Sequence, residues 1–132
     1  MQGLQGDSVP QRVYICDSSH AAELKRILEY DPYLDKSLNE EQIAKLKGDE
    51  EANVIFARQD YQLRDGIAAG LDRGKVYLYI NANDAFLEKA DAKLRKSIEG
   101  ISRAPQEDEE KVIAEIETEI SESEQGLGMI FG

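Results

Sequence analysis

Cys16-Asp17-Ser18-Ser19-His20 is the stretch of this chain whose residue types come closest to a catalytic set. The cysteine closes a β-rich run, Arg12-Val13-Tyr14-Ile15-Cys16, and the three residues after it are good helix N-caps. A thiol just before a helix feels the positive end of the helix dipole, which lowers its pKa and favours the nucleophilic thiolate, and His20 stands nearby as a base. Alternation along the run places Val13 and Ile15 on one face and Tyr14 and Cys16 on the other, so a buried, inert cysteine competes with the reading of a small thiol- or metal-dependent enzyme. No Ser-His-Asp set stands out. We assign no catalytic residue.

Oxygen ligands for hard cations collect at residues 48–51 (GDEE), 81–84 (NAND) and 107–110 (EDEE). None has EF-hand spacing, so these clusters imply at most weak Ca²⁺ or Mg²⁺ binding, and we expect no dedicated metal site and no cofactor. Cys16 is the one cysteine and His20 the one histidine, which excludes an intramolecular disulfide and any zinc site that draws several Cys or His ligands from one chain. Gly66, Gly70 and Gly74 lack the G-K-[S/T] or G-x-G-x-x-G pattern of a phosphate loop and read as turn residues. Tyr61, Tyr77 and Tyr79 offer an aromatic surface to a ligand or dimer partner, with packing on a sheet as the alternative.

The strongest lead is the end of the chain. Residues 106–124, QEDEEKVIAEIETEISESE, hold nine Asp/Glu and one Lys, a balance of −8, which leaves −3 of the net −11 for everything else. Clustered Lys/Arg is what displaces counterions from a phosphate backbone, so this balance argues against direct nucleic-acid binding and favours a basic protein surface as partner. Val112, Ile113, Ile116 and Ile120 form the narrow apolar stripe of an amphipathic helix. That stripe packs either on the domain's own core or on a second copy, and Lys89, Lys93, Arg95 and Lys96 of the preceding helix would then face part of the acid. Glycine at 126 and 128 should end the helix near Gln125, leaving Leu127, Met129, Ile130 and Phe131 in an apolar tail.

This ending, an acidic run followed by Gly-Leu-Gly-Met-Ile-Phe-Gly, resembles the tail of the acidic ribosomal stalk P-proteins of archaea and eukaryotes. The resemblance covers about the last 25 residues and does not extend to residues 1–105, which do not look like the helical dimerisation domain of that family. In stalk proteins the tail recruits translational GTPases through its terminal apolar residues. Carried over by position, Leu127, Ile130 and Phe131 would be anchors, and Glu119, Glu122 and Glu124 the acidic flank. Met129 stands where the family has a small residue and Ile130 where it has Leu. The resemblance implies an archaeal source and a translation factor with a basic, hydrophobic groove as partner.

The elements that would carry these residues belong to a small α+β domain. Residues 12–16 read as a strand, followed by a helix through Leu24, Ile27 and Leu28 that Pro32 stops. Ser37 and Glu40 have the form of a capping box for a short second helix closed by Gly48. NVIFA (53–57) reads as a strand, residues 61–74 as an irregular hairpin, and KVYLYIN (75–81) as a half-buried strand with Val76, Leu78 and Ile80 opposite Tyr77 and Tyr79. A helix capped by Asn81 or Asn83 runs to Ser97 with Gly100 after it, and residues 101–104 return as a strand. The order β-α-(α)-β-β-α-β is that of a split β-α-β, or ferredoxin-like, sandwich: an antiparallel-containing sheet with helices on one face, plus the C-terminal acidic helix. Residues 1–10 read as a flexible lead, 11–105 as the domain, 106–124 as the acidic helix and 125–132 as the tail.

The N-terminus lacks a basic start and an apolar core, and no apolar run approaches the roughly 20 residues that span a bilayer. The expectation is a cytoplasmic, non-enzymatic protein-binding module. A domain whose tail completes its own core or a homodimer is the alternative.

Overall fold

The computed structural model describes residues 10–131, with side chains to Ser123. Strands β1 (Gln11–Asp17) and β3 (Lys75–Asn81) lie at its centre. β2 (Asp60–Asp65) flanks β3 and the two-residue β4 (Ser102–Arg103) flanks β1, giving the fully antiparallel order β2-β3-β1-β4. Tyr14 pairs with Leu78 on one side and Arg103 on the other, and Leu63 pairs with Leu78. This is the strand order of the split β-α-β arrangement, with β1 inserted between β3 and β4.

Helices α1 (Ala21–Glu29) and α3 (Asp84–Ser97) cover one face. Leu24 and Leu28 from α1, and Leu87, Ala90 and Leu94 from α3, close over Tyr14, Cys16, Val76, Leu78 and Ile80. The Tyr14 hydroxyl donates to Asp91 Oδ1 at 2.9 Å, which ties β1 to α3. α3 starts where Asn83 accepts the Phe86 amide at 2.8 Å. After it, Gly100 takes a φ of +81° and turns the chain into β4.

The opposite face is covered by α4 (Gln106–Phe131), whose Val112 and Ile116 are buried with Val13, Tyr77 and Tyr79. β3 is therefore buried on both faces rather than half-buried, and its alternation sorts aliphatic residues to the helix pair and tyrosines to α4. Fully burying a side chain such as Ile116 stabilises by about 1.5–3 kcal/mol, so this third layer belongs to the fold.

Three local expectations are corrected. Residues 53–57 form no strand: Val54, Ile55 and Phe56 are buried in an extended segment and a 3-10 turn (Phe56–Arg58), with Phe56 edge-on to Phe86 at 5.7 Å. The second strand comes from residues 60–65, whose Tyr61 and Leu63 pack on the helix-pair core while Gln62 and Arg64 alternate to the other side. The capping box of α2 (Glu40–Leu46) is set two residues later than Ser37-Glu40. Asn39 accepts the Gln42 amide at 2.8 Å and Gln42 accepts the Asn39 amide at 2.9 Å, while Ser37 is occupied by Asp35. The backbone of α4 also continues through Gly126 and Gly128 to Phe131. Glycine weakens a helix by about 1 kcal/mol relative to alanine but ends it only by turning left-handed, and here it stays helical.

Candidate recognition surface

The acidic helix docks by two apolar residues and a set of directed polar contacts. Val112 and Ile116 supply the anchor, with Ile113 packed beside them. β4 is two residues long: beyond it the Ala104 amide still donates to the Val13 carbonyl at 2.9 Å, but the chain then turns into α4, and the Val13 amide takes its acceptor from the helix. Glu109 replaces the strand: its Oε2 accepts the Val13 N–H at 2.9 Å. Arg103 holds the same carboxylate in a two-pronged pair, 2.7 Å from Nε and 3.0 Å from a terminal nitrogen. The Tyr77 hydroxyl donates to Asp108 at 3.2 Å, and Gln11 donates to the Tyr79 hydroxyl at 3.0 Å.

At the far edge of the sheet, Arg64 of β2 donates to both oxygens of Glu119, at 2.7 and 2.6 Å, and to Glu115 at 3.3 Å. This corrects the expectation that Lys89, Lys93, Arg95 and Lys96 face the acid. They stand on α3, across the sheet from α4: Lys89 pairs with Glu50, Lys96 with Glu51 and Arg95 with Asp91, while the Lys93 amine donates to the carbonyls of Glu51 and Val54. Arg64 and Arg103 escaped the reading of the sequence. The usable signal was the period-two alternation of residues 60–65, which sets Arg64 on the face of Tyr77 and Tyr79.

Hydrogen bonds from Arg64 hold the Glu119 carboxyl below its ordinary range. A depressed carboxyl contributes stability that is present above its unfolded value, near 4.3, and is lost as pH falls through the lower folded value. The Arg64–Glu119 contact should therefore stay intact at neutral pH and open in strong acid. Amide exchange or chemical shifts of residues 115–120, followed from pH 6 downward, should report the loss below about pH 4, ahead of any change at Leu78.

One turn beyond Ile116, the apolar stripe comes into solvent: Ile120 is 46% exposed, and Glu122 is exposed. The side chains of Glu124, Leu127, Met129, Ile130 and Phe131 lie outside the described residues. On the helical backbone, positions 127, 130 and 131 stand at the i, i+3, i+4 spacing of one face, the face that includes Ile113, Ile116 and Ile120.

The other candidates fall elsewhere. Cys16 is buried among core residues, and burial pushes its thiol pKa up, with Asp17 adding to the rise. That is opposite in direction to the activation expected of a thiol before a helix. His20 ends the 3-10 turn that follows β1 and contacts Glu23 at 3.3 Å. Tyr77 and Tyr79 are covered by α4 and Tyr61 packs on the other face, so the three form no common aromatic surface. Among the described residues no three His, Cys, Asp or Glu side chains gather as a metal site, and no helix is long and apolar enough to cross a membrane. Asp49 accepts the amides of Glu51 and Ala52, and Asn83 caps α3. Gly66, Gly70 and Gly74 shape the turn between β2 and β3.

No family model, no curated protein and no solved structure matches this chain.

Proposed function

We propose that the protein is a non-enzymatic recognition module that presents the C-terminal part of α4 to a protein partner. One observation carries this reading: the stripe that is buried at Val112 and Ile116 is half exposed at Ile120, while the helix backbone runs on to Phe131. The sheet thus acts as a base, with Glu109 and Arg64 fixing the docked stem.

Helix-in-groove docking is the mode such spacing suits, with Leu127, Ile130 and Phe131 as anchors, Met129 beside them, and Glu119, Glu122 and Glu124 as the acidic flank that steers toward a basic rim. The likeness to stalk tails makes a translational GTPase of archaeal type, met in the cytoplasm, the sharpest version of the partner. Each anchor is worth about 1.5–3 kcal/mol if fully buried, so each one removed should weaken binding by about tenfold or more.

The test compares the full chain with Leu127→Ser and Phe131→Ser variants, measuring calorimetric binding to a purified translational GTPase alongside Tm. Binding lost with Tm unchanged supports the reading. Unchanged binding, or a Tm drop of many degrees from Phe131→Ser, overturns it, because the latter would mean that the tail completes this domain's own core.

A further inference from the structure

Across the sheet from α4 lies a cleft between the segment after α2 and the outer face of α3. It consists of two adjoining depressions of about 450 and 220 Å³ that share Glu50, Val54 and Lys89. Val54, Ala85, Phe86 and Ala92 give it an apolar floor, and Lys47, Lys89, Lys93 and Lys96 converge on its rim. Against these four cations stand Glu50 and Glu51, so the rim carries a local +2 in a chain of net −11.

The two carboxylates hold the rim loosely. The side chains in the Lys89–Glu50 pair are 57% and 86% exposed, and those in the Lys96–Glu51 pair are 71% and 50% exposed. Pairs this open contribute little, so their ammonium groups are free to exchange onto incoming acid. Lys93 is held differently, by the carbonyls of Glu51 and Val54 and 6.0 Å from the Phe56 ring centroid.

The segment complementary to an apolar floor with a lysine rim is acidic and apolar at helical spacing, which describes the end of α4. That end cannot reach the cleft of its own chain. α4 is one continuous helix on the far face of the sheet, and a helix carries its end away from its docked stem at about 1.5 Å per residue.

We infer that this cleft receives the C-terminal end of α4 from a second copy of the chain, so that two copies can mask each other's recognition helix. The inference rests on the tail being a recognition element, and it adds self-association as the competitor of partner binding. Association is weakened by salt, since exposed lysine and glutamate groups meet across it.

The test is sedimentation velocity of the full chain from micromolar to millimolar concentration, at low and high salt. The variants are Lys89→Glu with Lys96→Glu for the cleft and Phe131→Ser for the tail. We expect reversible dimers at low salt that both variants abolish, and association restored when the cleft variant and the tail variant are mixed, since one intact cleft then meets one intact tail. The cleft variant should still bind the translational GTPase, whereas the tail variant should not. A chain that stays monomeric at millimolar concentration, or dimers indifferent to the cleft variant, would overturn the inference. Loss of GTPase binding with dimers intact would instead sink only the function proposed above.

Discussion

Ile116→Asp should strip α4 from the sheet. Ile116 is fully buried over Val13, Tyr77 and Tyr79, and among the described residues it and Val112 are the fully buried apolar side chains of the helix. Truncating a buried Ile to Ala costs about 2–5 kcal/mol, and a carboxylate placed there adds the cost of taking a charge out of water. The helix around it already carries a balance of −8 over residues 106–124. Its remaining holds are polar contacts, among them Arg64 on Glu119, Arg103 and the Val13 amide on Glu109, and Tyr77 on Asp108, and they do not replace the apolar anchor. We expect a loss of at least about 3 kcal/mol in urea unfolding, together with a changed near-UV signal from the uncovered tyrosines. Ile120→Asp, on the same stripe but 46% exposed, should shift stability by no more than about 0.5 kcal/mol. Equal effects at the two positions would contradict the docking boundary between them.

That boundary shows which parts of this protein can be read from a sequence. The 112/113/116/120 stripe was legible because helical periodicity is a local signal, and so was KVYLYIN, whose alternation needs no knowledge of its neighbours. The cap of the following helix was legible to within two residues, as Asn81 or Asn83, and Asn83 is the one that accepts the Phe86 amide. What covers a stripe is not local. The sequence alone allowed α4 to pack on its own domain or on another copy; in the structure Val112 and Ile116 are buried on the chain's own Val13, Tyr77 and Tyr79, and the β2–β3 register sets Arg64 beside Tyr77. Reading NVIFA as a strand failed because a short apolar run has no period: Val54, Ile55 and Phe56 are buried as a plug, and the sheet edge goes to the more polar residues 60–65. Glu109 was visible as charge, but its bond to the Val13 amide exists only because β4 stops after two residues.

Gly66→Ala is expected to be the most damaging of the glycine substitutions, and the reason is backbone rather than conformational preference. A Cβ at position 66 would sit 1.7 Å from the Asp72 carbonyl oxygen, 2.7 Å from its carbon and 3.0 Å from the Lys75 oxygen. None of these atoms can swing aside as a side chain would. The Asp72 oxygen accepts the Lys75 amide at 3.1 Å, and the Lys75 oxygen accepts the Gly66 amide at 2.9 Å. Accommodating a methyl group means opening the turn, and the Asp65–Val76 end of the β2–β3 ladder opens with it. Two residues back stands Arg64, so the damage should reach the Glu119 contact on α4. We expect a loss of about 2–4 kcal/mol, in the range of overpacking plus lost pairing. Gly100→Ala has open space around it but a φ of +81°, which costs about 1–2 kcal/mol through left-handed strain alone. Gly48→Ala meets only an ordinary contact at 3.9 Å and should be neutral or slightly stabilising. Urea unfolding of the three variants should give the order Gly66, Gly100, Gly48, and amide exchange at Glu115–Ile120 should quicken in the first alone. A Gly66→Ala protein as stable as the parent would mean that the turn does not close as described, and the placement of Arg64 under α4 would fall with it.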